Sequence, residues 1–100
     1  MKRINVAGTS LVTGSALADA VLELWLRLAR LRRYELAEIP FVDEDGTRQR
    51  ARLVLCPSCP LWTSTFDSDA PELVDPVTLA DIRQRAAELE ADWHAPAFEE

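Results

Sequence analysis

The chain has 100 residues, 48% hydrophobic and 28% charged, which is the balance of one small globular domain. Its formal net charge is −6, so it lacks the basic surface that nucleic-acid binding requires. Charged residues interrupt the longest apolar stretch and polar residues interrupt the start, so we predict a cytoplasmic protein without a membrane span or signal peptide.

The first 33 residues predict a strand, a loop and a long helix. Residues 3–7 alternate polar and apolar side chains, as a strand does, and Gly8 ends them. Residues 8–14 are predicted to form a loop, although Leu11 and Val12 are apolar enough to continue the strand beyond a bulge.

The helix is predicted over residues 15–33, with Thr13 or Ser15 as its N-cap. At about 100° per residue, its apolar side chains cover roughly two-thirds of the circumference, more than packing on one sheet requires. Leu22 and Trp25 lie on the surplus flank. We therefore expect the second helix, the C-terminal tail or another copy of the chain to cover that flank.

Residues 34–42 and 47–55 predict a β-hairpin around an acidic turn that ends at Gly46. A three-residue loop with Gly46 in the left-handed conformation places Ala37 opposite Leu53 and Ile39 opposite Ala51 on the core side, and Glu38 opposite Arg52 outside. Pro40 removes one ladder donor, which predicts that the first of these strands is an edge strand or carries a bulge.

The remaining segments predict a turn over residues 56–60, a strand over 61–66 and a polar loop over 67–75. A helix follows over residues 76–91, with Asp75 as N-cap and Pro76 as its first residue. The order β-α-β-β-β-α predicts an α+β two-layer sandwich, a mainly antiparallel sheet with two helices packed on one face. We expect one domain over residues 1–93 and an acidic tail over residues 94–100.

The sequence Cys56-Pro57-Ser58-Cys59 is the one recognisable chemical motif. Two thiols at this spacing can close a small ring, and such a dithiol can have a lowered pKa. The four residues resemble the C-P-x-C active site of glutaredoxins, which implies thiol redox chemistry, although Pro60 follows where that family begins a helix. Zinc is an alternative that needs four ligands, which two chains could supply jointly. Otherwise the cysteines are structural.

The segment from Gly8 to Gly14 joins a strand to a helix, as phosphate-binding loops do, but it matches neither common glycine-rich pattern. An anion could still bind the backbone N–H groups at the helix N-terminus, so Gly8, Thr9, Ser10 and Gly14 are candidate anion-binding residues.

Enzymatic catalysis is not expected from the sequence. His94 is the sole histidine, so no histidine relay or multi-histidine metal site exists, and the serines have no base nearby in sequence. We predict no catalytic residue, no resident metal and no cofactor.

The leading functional prediction is a non-catalytic interaction or structural module that acts as a homodimer or binds an unidentified protein partner. The candidate interface residues are the surplus helix flank and an arginine stripe that could bind an acidic partner: Leu22, Trp25, Arg48, Arg50 and Arg52. The alternatives are a thiol-redox or metal-binding protein that uses Cys56 and Cys59, and a binder of small anionic ligands at residues 8–14.

Overall fold

The computed structural model describes residues 1–92. Within them lie β1 (Lys2–Val6), β2 (Thr9–Thr13), α1 (Ser15–Leu31), β3 (Glu35–Val42), β4 (Arg48–Leu55), β5 (Leu61–Thr65) and α2 (Pro76–Asp92). The strands form one antiparallel sheet in the order β4-β3-β2-β1-β5, and the two helices pack together. The predicted α+β class is therefore confirmed. The predicted tail at residues 94–100 lies outside the described residues.

The prediction of a loop over residues 8–14 is wrong, because most of this stretch forms β2. β1 and β2 pair along their full lengths and are joined by a two-residue turn of Ala7 and Gly8. Both turn residues have positive φ, 51° and 77°, which a tight hairpin turn between twisted strands requires. Gly8 thus reverses the chain rather than ending the sheet, and the element order becomes β-β-α-β-β-β-α.

The hairpin of β3 and β4 has the predicted register. Ile39 pairs with Ala51, and Glu38 pairs with Arg52. Gly46 has φ 87°, and its N–H donates to the carbonyl of Asp43 at 3.0 Å, which closes the turn. The register follows from burial, because a slip by one residue would turn every core side chain of one strand outward.

The prediction that the strand containing Pro40 is an edge strand or carries a bulge is wrong, since β3 lies between β4 and β2 and its ladder with β4 is unbroken from Glu35 to Val42. β2 reaches β3 through one ladder pair, Val12 with Val42, so the ladder does not need the N–H that Pro40 lacks. The buried Thr13 hydroxyl instead donates to the Pro40 carbonyl at 2.8 Å. Farther along β3, α2 covers the open side, where Arg85 donates to the Leu36 carbonyl at 2.8 Å.

Helix α1 supplies the centre of the core. Leu17, Val21, Leu24 and Leu28 are almost completely buried. Full burial of one such side chain stabilises the fold by about 1.5–3 kcal/mol. The helix stops at Leu31, two residues before its predicted end, because Arg32 adopts the left-handed conformation and its N–H bonds back to the last turn.

Helix α2 begins as predicted, with Asp75 as its cap and Pro76 first. The Asp75 carboxylate accepts the Thr78 backbone N–H at 3.1 Å, and its ion pairs are with Arg50 at 3.3 Å and Arg48 at 3.6 Å. The Thr78 N–H is the main reason that the Asp75 pKa is lowered. The cap therefore fixes the start of α2 beside β4.

The N-cap of α1 is Gly14, so the prediction of Thr13 or Ser15 as the cap is wrong. Gly14 lies directly against the chain segment that precedes α2. A Cβ at Gly14 would collide with the backbone carbonyl of Leu73. The backbone angles of Gly14, φ −63° and ψ 150°, suit any residue, so close packing alone demands glycine here.

We expect Gly14→Ala to lower the free energy of unfolding by about 1–3 kcal/mol, because the Leu73 backbone must move to make room. Urea unfolding at neutral pH measures this change. Ala16→Ser, a small change at a nearby exposed position, is the control and should shift stability by less than about 0.5 kcal/mol. Equal stability of Gly14→Ala and the native chain would contradict the packing described here.

Candidate functional site

The cysteine motif lies in the turn that joins β4 to β5. The Cys59 backbone N–H donates to the Cys56 carbonyl at 3.2 Å, so the four residues close a tight turn. This turn places the two sulfur atoms 2.8 Å apart, with both cysteines as free thiols. The predicted pair is therefore brought together, and one thiol can donate directly to the other.

Trp25 anchors the turn to α1. Its indole N–H is shared between the carbonyls of Cys56 at 2.9 Å and Cys59 at 3.1 Å. An indole N–H that packs away from water needs a partner, and the turn supplies two carbonyls that no strand pairs. The side chain predicted as an interface residue thus bonds inside its own chain and holds both ends of the thiol turn.

The two thiols have opposite pKa shifts. The contact between the two sulfur atoms lowers the pKa of Cys56 from 9.0, because the Cys59 thiol can donate to Cys56 once Cys56 is ionised; the Ser58 hydroxyl, 3.6 Å from the Cys56 sulfur, is the next cause. The same hydrogen bond, together with burial, raises the pKa of Cys59. Hydrogen bonds to the charged form favour that form, so Cys56 is the thiol that ionises first.

Access to the two sulfur atoms also differs. Cys56 is 8% exposed, whereas Cys59 is half-buried. A bulky folded partner cannot reach the Cys56 sulfur as readily as a small molecule can. Cys56 is therefore a shielded thiol that ionises at lower pH. Cys59 is a more accessible neutral thiol that can form a disulfide with it.

A single copy of residues 1–92 offers no complete metal site. Those residues contain no group of three or more Cys, His, Asp or Glu side chains placed to hold a metal ion. A tetrahedral zinc site needs four ligands, and this turn supplies Cys56 and Cys59. His94 lies outside the described residues.

The four residues predicted to bind an anion are not brought together. Gly8 and Thr9 lie at the β1–β2 turn, whereas Gly14 lies at the other end of β2 beside the N-terminus of α1. Ser10 points to the outer face, where its hydroxyl donates to the Asn5 side-chain oxygen at 3.2 Å. The helix N-terminus holds a carboxylate of this chain instead.

That carboxylate belongs to Glu72, which no local pattern in the sequence singles out. One of its oxygens accepts the Ser15 backbone N–H, and the other accepts the Met1 ammonium at 2.9 Å. Chiefly because of the Met1 ammonium, and next because of the Ser15 N–H, the pKa of Glu72 is lowered from 4.5 to about 2. An anion is favoured at a helix N-terminus, and Glu72 supplies it from 57 positions away.

The other predicted interface residues mostly have partners in their own chain. Leu22 is half-buried and packs against the core. Arg48 and Arg50 bind Asp75, and Arg50 also lies 3.6 Å from Glu38. Arg52 is exposed and makes no ion pair with any residue in 1–92. The arginine stripe therefore serves mainly to cap α2.

Comparison with known protein families, curated proteins and solved structures finds no significant match. Neither α1 nor α2 is long and apolar enough to cross a membrane.

We expect Glu72→Gln to destabilise the protein at pH 7 and the difference from the native chain to shrink in acid. The folded state lowers the pKa of Glu72, so its carboxylate contributes full stability above pH 4.5, and the contribution is lost as pH falls toward about 2. Urea unfolding from pH 7 to pH 2 checks this, with Glu44→Gln on the exposed hairpin tip as control. A stability difference that stays constant with pH would contradict the assigned contacts.

Proposed function

We propose that the protein exchanges two electrons with small disulfides through Cys56 and Cys59. The observation that carries this proposal is the 2.8 Å separation of the two sulfur atoms, which are hydrogen-bonded to each other within one turn. Thiols this close form a disulfide after little movement of the backbone, because a disulfide brings the sulfur atoms to about 2.05 Å.

The reaction begins with the Cys56 thiolate, which attacks one sulfur of the small disulfide and displaces the other sulfur as a thiolate. Cys56 is then joined to the small molecule in a mixed disulfide. The Cys59 sulfur attacks Cys56, its proton passes to the departing thiolate, and the intramolecular disulfide forms. In total, two cysteine thiols are oxidised and one small disulfide is reduced to two thiols.

The surroundings of the turn support these roles. The lowered pKa of Cys56 increases its thiolate fraction near neutral pH, and the neutral Cys59 thiol already lies against the sulfur that it must attack. Trp25 holds both carbonyls of the turn, so the spacing does not depend on the thiols alone. The low exposure of Cys56 favours a small disulfide over a folded protein as the oxidant.

We expect reduced protein, incubated with glutathione disulfide, to lose both thiols and to form one intramolecular disulfide that dithiothreitol reverses. Cys59→Ser should stop at a stable mixed disulfide on Cys56, because the second attack is then impossible. Thiol counting and mass spectrometry measure both products. Ser64→Ala on β5 is the matched control and should still form the ring, because it keeps both thiols, the turn and Ser58.

The pH dependence of alkylation by iodoacetamide tests the assignment of roles. Cys56 should be alkylated at lower pH than Cys59, and Cys59→Ala should move the Cys56 profile to higher pH, since the donated hydrogen bond is lost. Ordinary, equal profiles for the two thiols, or failure to form the intramolecular disulfide, would reject the proposal.

Self-association is a second candidate function, and one observation favours it. Leu36 and Val54 lie directly opposite each other on the outer face of β3 and β4, where they are 45% and 58% exposed. The neighbouring Tyr34 is also largely exposed. Two copies related by a two-fold axis could bury this apolar patch against itself.

Sedimentation velocity across micromolar concentrations tests self-association. We expect a monomer–dimer equilibrium that Val54→Lys shifts to monomer, because a charge in the patch opposes its burial. Thr9→Lys, at an exposed position in the β1–β2 hairpin far from Leu36 and Val54, is the control and should leave the equilibrium unchanged. A native chain that stays monomeric throughout the range would exclude this candidate.

A further inference from the structure

A groove bordered by β1, β2, the β3–β4 hairpin and the segment after β5 has a volume of about 600 Å³. That is within the range of sites for small molecules, roughly 300–1,000 Å³. Its lining comes from the outward side chains of β1 and β2, from the tip of the β3–β4 hairpin and from the segment after β5. This groove shares no residue with the thiol turn, so it is independent of the function proposed above.

The floor of the groove is largely apolar. Val12, Val42 and Phe66 line it, together with Met1. No residue of α1 or α2 lines the groove. A ligand with an aromatic ring or a short acyl chain would find apolar contacts here.

Arg3 supplies a positive charge in the groove. Its guanidinium lies 4.8 Å from the centroid of the Phe66 ring, a distance at which the cation and the ring attract each other. Phe66 is itself fixed, because its backbone N–H donates to the Met1 carbonyl at 3.1 Å. Within residues 1–92 the guanidinium makes no ion pair and no hydrogen bond, so its donors are available to a ligand.

The acidic groups of the groove restrict the charge of the ligand. Asp43 and Glu44 lie at the hairpin tip. The Asp43 carboxylate accepts hydrogen bonds from the Thr47 N–H at 3.0 Å and the Gln49 side-chain amide at 2.8 Å, so it is directed into the turn. These carboxylates would repel a ligand with several negative charges. A ligand with one negative charge, placed beside Arg3, would instead be attracted by the guanidinium.

From this arrangement we propose that the groove binds a small organic carboxylate with an aromatic or short acyl body. The carboxylate pairs with Arg3, and the apolar body lies on Val12, Val42 and Phe66. Of the four residues that the sequence suggested for anion binding, Ser10 alone lines this groove.

The test is a titration of isotopically labelled protein with naphthoate, followed by amide chemical shifts. We expect saturable shifts at Arg3, Val12, Val42 and Phe66. The neutral counterpart naphthalenemethanol should bind about tenfold more weakly, because charge-assisted hydrogen bonds to Arg3 are lost. Acetate and inorganic phosphate, which have no apolar body, should not displace naphthoate.

Three variants identify the charge that matters. Arg3→Gln should weaken naphthoate binding about tenfold, and Arg3→Lys should restore part of the affinity, because the positive charge returns. Arg52→Gln removes an exposed arginine outside the groove and should bind as the native chain does. Thermal unfolding checks that each variant is folded.

Three outcomes would overturn the proposal: no saturable binding of naphthoate, shifts that map outside the groove, or equal binding by Arg3→Gln and the native chain. Equal affinity for naphthalenemethanol would show an apolar cleft without the carboxylate recognition proposed here. None of these outcomes bears on whether Cys56 and Cys59 form a disulfide, so the two proposals fail separately.

Discussion

Burial of the wide apolar surface of α1 is the constraint on which the rest of this fold depends. One sheet face cannot cover it, so the sheet, helix α2 and the turn between β4 and β5 cover it together. The turn does so by accepting the indole N–H of Trp25 with two carbonyls. The same contact that completes the burial of the helix therefore positions the two thiols.

Local signals in the sequence are enough to predict the α+β class, the capped start of α2 and the register of the β3–β4 hairpin. The helix start follows from two neighbouring residues, Asp75 and Pro76. The register follows from the alternation of core and outward side chains along each strand, because a shift in register would expose the core side chains. Strand β2 is not predicted, because Gly8 after residues 3–7 suggests the end of a strand. A glycine with positive φ is equally typical of a tight turn that joins two paired strands, which is where Gly8 lies.

The candidate site is predictable only in part. The motif locates Cys56 and Cys59, but spacing alone does not show which thiol donates to the other. The roles of Glu72 and Trp25 depend on contacts between residues far apart in the chain, 57 positions for Glu72 and Ser15 and 31 for Trp25 and Cys56. Such contacts depend on the tertiary fold, and no short stretch of sequence reports them.

Strand β5 connects the two regions for which chemistry is proposed. It begins two residues after Cys59 and ends one residue before Phe66. Its five residues pair with β1 along their whole length and span roughly 17 Å between the thiol turn and Phe66. The two regions therefore lie at opposite ends of one short strand, far enough apart to bind different molecules at once.

The arginines of β4 have an effect beyond the capping of α2. β4 is the last strand at its side of the sheet, so its outer backbone groups have no ladder partner within residues 1–92. Unprotected strands of this kind recruit other chains and can seed fibrils. Asp75 pairs with Arg48 and Arg50, but Arg52 is exposed without an ion pair in residues 1–92, and a charged side chain on an edge strand opposes pairing with another chain. At this edge, one of the two edges of the sheet, the charge of Arg52 therefore works against amyloid-like stacking of copies.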